Sequence, residues 1–177
     1  MKRILLAVAA ATLLTAAPAA AQTVILVRHA EKADQSADPA LSEAGQARAE
    51  ALAQTLADRH PTVIVFTALQ RTHLTARPSM MSGTNDRRPT VVRVPFEGFT
   101  VRQHIDMTVR SIREFAPDDV ILVVGHSNTI PQIARALGYR EAADMRECEF
   151  DRLTTLHLTP AGATGEVTRY GEPSVCE

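Results

Sequence analysis

The 177-residue chain has no tryptophan, two tyrosines, five phenylalanines and two cysteines. Its core must therefore be mostly aliphatic. Nineteen Lys and Arg nearly balance twenty Asp and Glu, for a formal net charge of -1. That balance gives no electrostatic reason for a nucleic acid as main partner. An apolar fraction of 45% and a charged fraction of 22% exclude disorder, collagen and coiled coil. Two cysteines so far apart do not form a zinc motif. After residue 21 no apolar run is long enough to span a bilayer.

The first stretch reads as a targeting segment. Lys2 and Arg3 supply positive charge, and Ile4 to Ala17 is apolar apart from Thr12 and Thr15. Pro18-Ala19-Ala20-Ala21-Gln22 then offers the small residues that a signal peptidase needs. The expectation is a secretory signal over residues 1–21, cut after Ala21, and a single domain over residues 22–177. The apolar run is short for a spanning helix, so no stable membrane insertion is expected after cleavage. The expected compartment is the periplasm or the outside of the cell. There Cys148 and Cys176 can form a disulfide that ties the C-terminus back to the domain; two free thiols are the alternative.

Helical and extended patterns alternate along the rest of the chain. Thr23 to Val27 reads as a buried strand, and residues 32–40 as a polar loop. Ser42 caps a helix whose apolar face is Ala49, Leu52, Ala53 and Leu56. A strand follows at Val63 to Phe66, a short helix over 69–81, a polar loop over 82–90 and a strand at Val91 to Val94. Ile105, Val109 and Ile112 mark a further helix. Val120 to Val124 is the strongest strand, and Ile130, Ile133, Ala134 and Leu137 line a helix that stops at Gly138. Leu153 to Leu158 reads as a strand, and Val167 to Tyr170 as a weaker one. Continuous apolar strands are buried on both faces. The pattern predicts an α/β three-layer sandwich with a mostly parallel central sheet flanked by helices.

Ligands of such sheets bind at the carboxyl ends of the strands. The first strand is followed by Arg28, His29, Ala30, Glu31 and Lys32. After the second comes Thr67, with Arg71 one turn into the next helix. After the fourth come Gly125, His126, Ser127, Asn128 and Thr129. Two histidines and two arginines thus reach one rim from three segments. Arginine matches phosphate oxygens in a bidentate fashion, and a neutral imidazole can attack phosphorus. A second imidazole can donate to the charge on the equatorial oxygens. Ser127, Asn128, Lys32 and the amides opening the last helix add donors. The flanking arginines would repel a cation, which argues against a two-histidine metal site.

These residues resemble the histidine phosphatase superfamily, the phosphoglycerate-mutase-like fold. Arg28-His29-Ala30-Glu31 stands where the family opens its first strand into Arg-His-Gly. Leu41-Ser42-Glu43-Ala44-Gly45 is similar to the family's Leu-Ser/Thr-x-x-Gly helix start. Thr67 to Ala76 is similar to its Ser-x-x-x-Arg-Ala/Thr-x-x-Thr-Ala segment. Val124-Gly125-His126-Ser127 is similar to the second histidine motif. The resemblance implies that His29 becomes phosphorylated while Arg28, Arg71 and His126 hold the phosphoryl group. It implies no metal and no organic cofactor.

The family usually supplies a carboxylic acid to protonate the leaving group. In the acid-phosphatase branch an Asp directly follows the second histidine, but here that residue is Ser127. In the mutase branch a Glu lies between the second arginine and the second histidine. Glu97 is the candidate best placed by chain order; Asp106 is next, and Glu31 is a local alternative. The expected function is an exported phosphoric monoester hydrolase acting on small phosphoesters. Two alternatives stand beside it: a phosphohistidine protein phosphatase, and a phosphate-binding envelope protein with little or no turnover. A mutase is least expected, because its phosphodonor and sugar phosphates are scarce outside the cytoplasm.

Overall fold

A computed structural model describes residues 21–82 and 88–176. The targeting segment up to residue 20 and part of the expected 82–90 loop lie outside the described residues. Six strands form one sheet: β1 (Gln22–Arg28), β2 (Val63–Thr67), β3 (Thr90–Val94), β4 (Val120–Gly125), β5 (Arg152–Thr159) and β6 (Gly162–Arg169). The helices are α1 (Glu43–Thr55), α2 (Gln70–Met81), α3 (Val101–Arg113) and α4 (Ile130–Ala136). The strand order is β3-β2-β4-β1-β5-β6. The first four strands in that order run parallel, while β5 and β6 are antiparallel additions.

The pleat of β1 explains the three layers. Val24 and Leu26 enter one core with Ile105, Val109 and Ile112 of α3 and Ile130 and Ile133 of α4. Ile25 and Val27 enter the other with Leu52 of α1 and Ala76 of α2. Ile25, Leu26, Ile64 and Leu122 are fully buried. Each such side chain contributes about 1.5–3 kcal/mol relative to an exposed one.

Local chemistry sets the helix starts. Ser42 Oγ accepts from the Gly45 amide at 3.1 Å, as its position predicts. A Cβ at Gly45 would lie 2.2 Å from the Glu31 carbonyl oxygen, so glycine alone lets α1 approach the segment after β1. Thr100 and Gln103 form a reciprocal capping box on α3. For α2, Asp38 reaches across from the 32–40 loop, and its Oδ1 accepts from the Gln70 amide at 2.7 Å. β6 begins at Gly162, earlier than its apolar content suggests, because it pairs with β5 over all eight residues. Cys148 and Cys176 form a disulfide with Cα atoms 5.3 Å apart. Among the described residues no helix is long and apolar enough to cross a membrane.

Candidate active site

The parallel register of β1 and β4 pairs Arg28 with Gly125. The next residue of each strand is a histidine. The His29 amide donates to the Gly125 carbonyl at 2.9 Å, and the two imidazole centroids stand 5.4 Å apart. Both rings are buried, His29 at 4% and His126 at 5% exposure.

The two histidines are held differently. His29 Nδ1 lies 2.7 Å from the Ala30 carbonyl oxygen. A carbonyl only accepts, so Nδ1 carries the proton and Nε2 keeps its lone pair. Burial lowers the His29 pKa to about 4, with the charges of Arg28, Arg71 and Lys32 adding to the effect. The ring is therefore neutral at pH 7. Ala30 is itself fixed, its amide donating to Thr75 Oγ1 at 2.9 Å.

His126 sits at the end of a polarised hydroxyl chain. Thr72 Oγ1 donates to backbone carbonyls, the nearer being Leu69 at 2.8 Å. It can then only accept from Thr67 Oγ1, 2.8 Å away. Thr67 in turn accepts from His126 Nε2 at 3.3 Å, which makes Nε2 a donor. Burial lowers the His126 pKa to about 2, with contributions from the nearby cations and from His29. The Phe96 ring packs on His126 at 4.8 Å.

Arg28 is gripped by the segment that precedes β5. Its Nη1 donates to the Glu147 carbonyl at 2.5 Å and to those of Arg146 and Glu149 at 3.3 and 3.4 Å. Nη2 pairs with Glu147 Oε2 at 2.9 Å, and the guanidinium lies 4.1 Å from the Phe150 ring centroid. Nε is buried and has no hydrogen-bond partner among the described residues. Arg71 is mostly buried, with a loose contact of 3.9 Å to Asp38. Its charge acts on both histidines.

The other sequence-predicted residues are placed unequally. Ser127 Oγ donates to Glu147 Oε1 at 2.5 Å, so it binds a carboxylate rather than facing the rim free. The His126 amide is likewise committed, to Thr129 Oγ1. Lys32 Nζ donates to Gln35 Oε1 at 3.0 Å. Asn128 is exposed, and its carbonyl accepts from Gln132. Glu97 lies exposed in the turn after Phe96 and makes no hydrogen bond or ion pair among the described residues. Asp106 is exposed on α3. Glu31 is locked on Arg48 Nε at 2.9 and 3.0 Å, which makes it a structural partner of α1.

Glu147, Phe150, Thr72 and Asp38 escaped the sequence reading. The only local signal for Glu147 is that it precedes Cys148. Among the described residues no group of three His, Cys, Asp or Glu is placed to hold a metal ion.

Residues 24–83 match the Histidine phosphatase superfamily (branch 1). No curated protein matches the chain in sequence. Among solved structures, a mycobacterial glucosyl-3-phosphoglycerate phosphatase is 16% identical, over 85% of this chain and 98% of its own, with a TM-score of 0.60. The protein assigned as the phosphohistidine phosphatase SixA in Nakamurella multipartitia is 23% identical, over 89% of this chain and 99% of its own, with a TM-score of 0.58. A mycobacterial hydrolase is 15% identical, over 89% and 93%, with a TM-score of 0.60. Residues 24–83 are thus similar in sequence to the histidine phosphatase superfamily (branch 1), and the chain as a whole shares its fold with these solved structures.

Proposed function

We propose that the protein is a phosphoric monoester hydrolase that works through a phosphohistidine on His29. The observation that carries this reading is the His29 ring itself. Its Nδ1 proton is spent on Ala30, its Nε2 lone pair is free, and burial keeps it unprotonated at neutral pH. A neutral imidazole so aimed is an activated nucleophile. Arg28 Nε and Arg71 are donors that can meet the equatorial oxygens of the phosphoryl group in a site of low dielectric, and the His126 Nε2–H can join them by leaving its 3.3 Å contact with Thr67 Oγ1.

In the first step Nε2 forms a bond to phosphorus, and the ester P–O bond breaks with its electron pair on the leaving oxygen. In the second, water attacks phosphorus and the N–P pair returns to Nε2. Ser127, Asn128 and Lys32 border the phosphoryl group in this reading. In this reading the substrates are small phosphoesters. The reading extends to location. The basic and apolar first stretch, an Ala-rich exit and a disulfide in the domain suit an exported protein cut after Ala21.

The test is phosphate release from nitrophenyl phosphate and a panel of natural phosphoesters, with His29→Ala beside the wild type. Turnover that vanishes in the variant, with an acid-labile phosphoryl group trapped on wild type alone, is the expected result. Folded protein that binds inorganic phosphate but turns over nothing would leave a binding protein instead.

A further inference from the structure

An ordinary phosphoester leaves slowly unless its oxygen is protonated as the P–O bond breaks. We propose that Glu147 is the group that delivers this proton. The inference rests on the phosphatase reading above and adds the residue that lets it act on poor leaving groups.

Four other carboxylates lie near the rim in chain order, and each is otherwise placed. Glu31 is bound in a fork by Arg48. Asp38 Oδ1 caps α2 on the Arg71 side. Glu97 and Asp106 are exposed, and no hydrogen bond or ion pair among the described residues ties either to the site. Glu147 alone is bonded to two residues of the pocket, Arg28 at 2.9 Å and Ser127 at 2.5 Å. Those two residues are the chain neighbours of His29 and His126. Its side chain is 81% exposed, whereas Arg28 beneath it is 4% exposed. The carboxylate therefore stands on the solvent side of the phosphate-binding arginine, where a leaving group must depart.

Its backbone and its side chain are held differently. The carbonyls of 146, 147 and 149 grip Arg28 Nη1, and the adjacent Cys148 is bridged to Cys176. Only the carboxylate can swing. The Ser127 hydroxyl, Arg28 and Lys32 favour its ionised form. An incoming phosphoryl dianion competes for Arg28 Nη2 and the Ser127 hydroxyl. The displaced carboxylate loses both stabilising bonds and meets a dianion, so it takes up a proton from solvent. Substrate binding thereby arms the acid.

In the chemical step the leaving oxygen takes the Glu147 proton together with the P–O electron pair, while Nε2 bonds to phosphorus. In hydrolysis the resulting carboxylate accepts a proton from the attacking water, and the N–P pair returns to His29.

The experiment compares wild type, Glu147→Gln, Glu147→Asp, Glu97→Gln and His29→Ala on dinitrophenyl, phenyl and glycerol phosphates. Glu147→Gln is expected to lower kcat by about 10²–10⁴ on phenyl and glycerol phosphates and to leave dinitrophenyl phosphate nearly unchanged. Glu147→Asp should restore part of the loss. The ratio between substrates is internal to each preparation, so partial misfolding does not mimic it. An equal loss on all three substrates would mean that Glu147 only positions Arg28, and would overturn the proposal. So would a selective loss in Glu97→Gln with none in Glu147→Gln. Activity surviving in His29→Ala would instead overturn the phosphohistidine reading.

Discussion

Acid should unfold this protein partly through His29, and the size of the effect follows from its burial. The folded-state pKa is about 4 against an ordinary value near 6.5. Below pH 6.5 the unfolded chain binds a proton at this ring that the folded chain refuses. Stability therefore falls as pH falls, with the loss developing between pH 6.5 and 4. At about 1.36 kcal/mol per pH unit, His29 alone removes roughly 3 kcal/mol, a large share of the ~5–15 kcal/mol of a typical domain. His29→Asn is the control, because its side-chain amide can still donate to the Ala30 carbonyl but does not titrate. Urea unfolding of both proteins at pH 7, 6, 5 and 4 isolates the difference. The carboxylates of the Glu31–Arg48 and Asp151–Arg169 pairs are common to both, as is His126. Wild type should lose about 3 kcal/mol more than the variant between pH 7 and 4. Parallel curves would show that folded His29 titrates near its ordinary value, and the claim that the nucleophile is neutral well into the acid range would fail.

Gly45→Ala should destabilise the domain by about 1–3 kcal/mol, because the new methyl meets the Glu31 carbonyl oxygen at 2.2 Å; thermal unfolding should show a Tm roughly 3–10 °C lower. Cys148→Ser opens a loop closed across a separation of 28 residues and should cost about 3–4 kcal/mol in chemical denaturation. In the same variant the grip on Arg28 loosens, so KM for phosphoesters should rise.

The strands were legible because their apolar runs are uninterrupted, and Val120 to Val124 could hardly be anything else. Their pairing was not. Nothing local in Thr23–Val27 says that β1 sits beside β4 rather than β2, yet that register brings His29 and His126 together. The motifs named the histidines and arginines correctly as neighbours of one rim, but could not say which nitrogen of His29 is free. That depends on a turn which folds the Ala30 carbonyl back onto Nδ1. Glu31 looked like a candidate acid because of its position beside His29. Arg48, seventeen residues on and hidden in the polar pattern of α1, claims it instead. Asp38 read as part of a polar loop because the helix it caps starts 32 residues later.

Burial separates the two kinds of chemistry that the site would perform. A nucleophile must stay unprotonated, and desolvation does this for His29 at the cost of acid stability. A proton donor must gain and lose a proton in each cycle, which a buried, ion-paired carboxylate such as Glu149 cannot do, since Arg152 and Arg169 hold it ionised. Only an exposed carboxylate with replaceable partners meets that need. Glu147 has two such partners, and both are groups that a phosphoryl oxygen would take from it. The segment that carries it lies 119 residues beyond Arg28 and outside the histidine motifs, so the disulfide and the carbonyl grip on Arg28 supply the order that a motif would otherwise provide. The fold can in this way add an acid to a pocket whose other members come from the ends of β1 and β4 and from the first turn of α2.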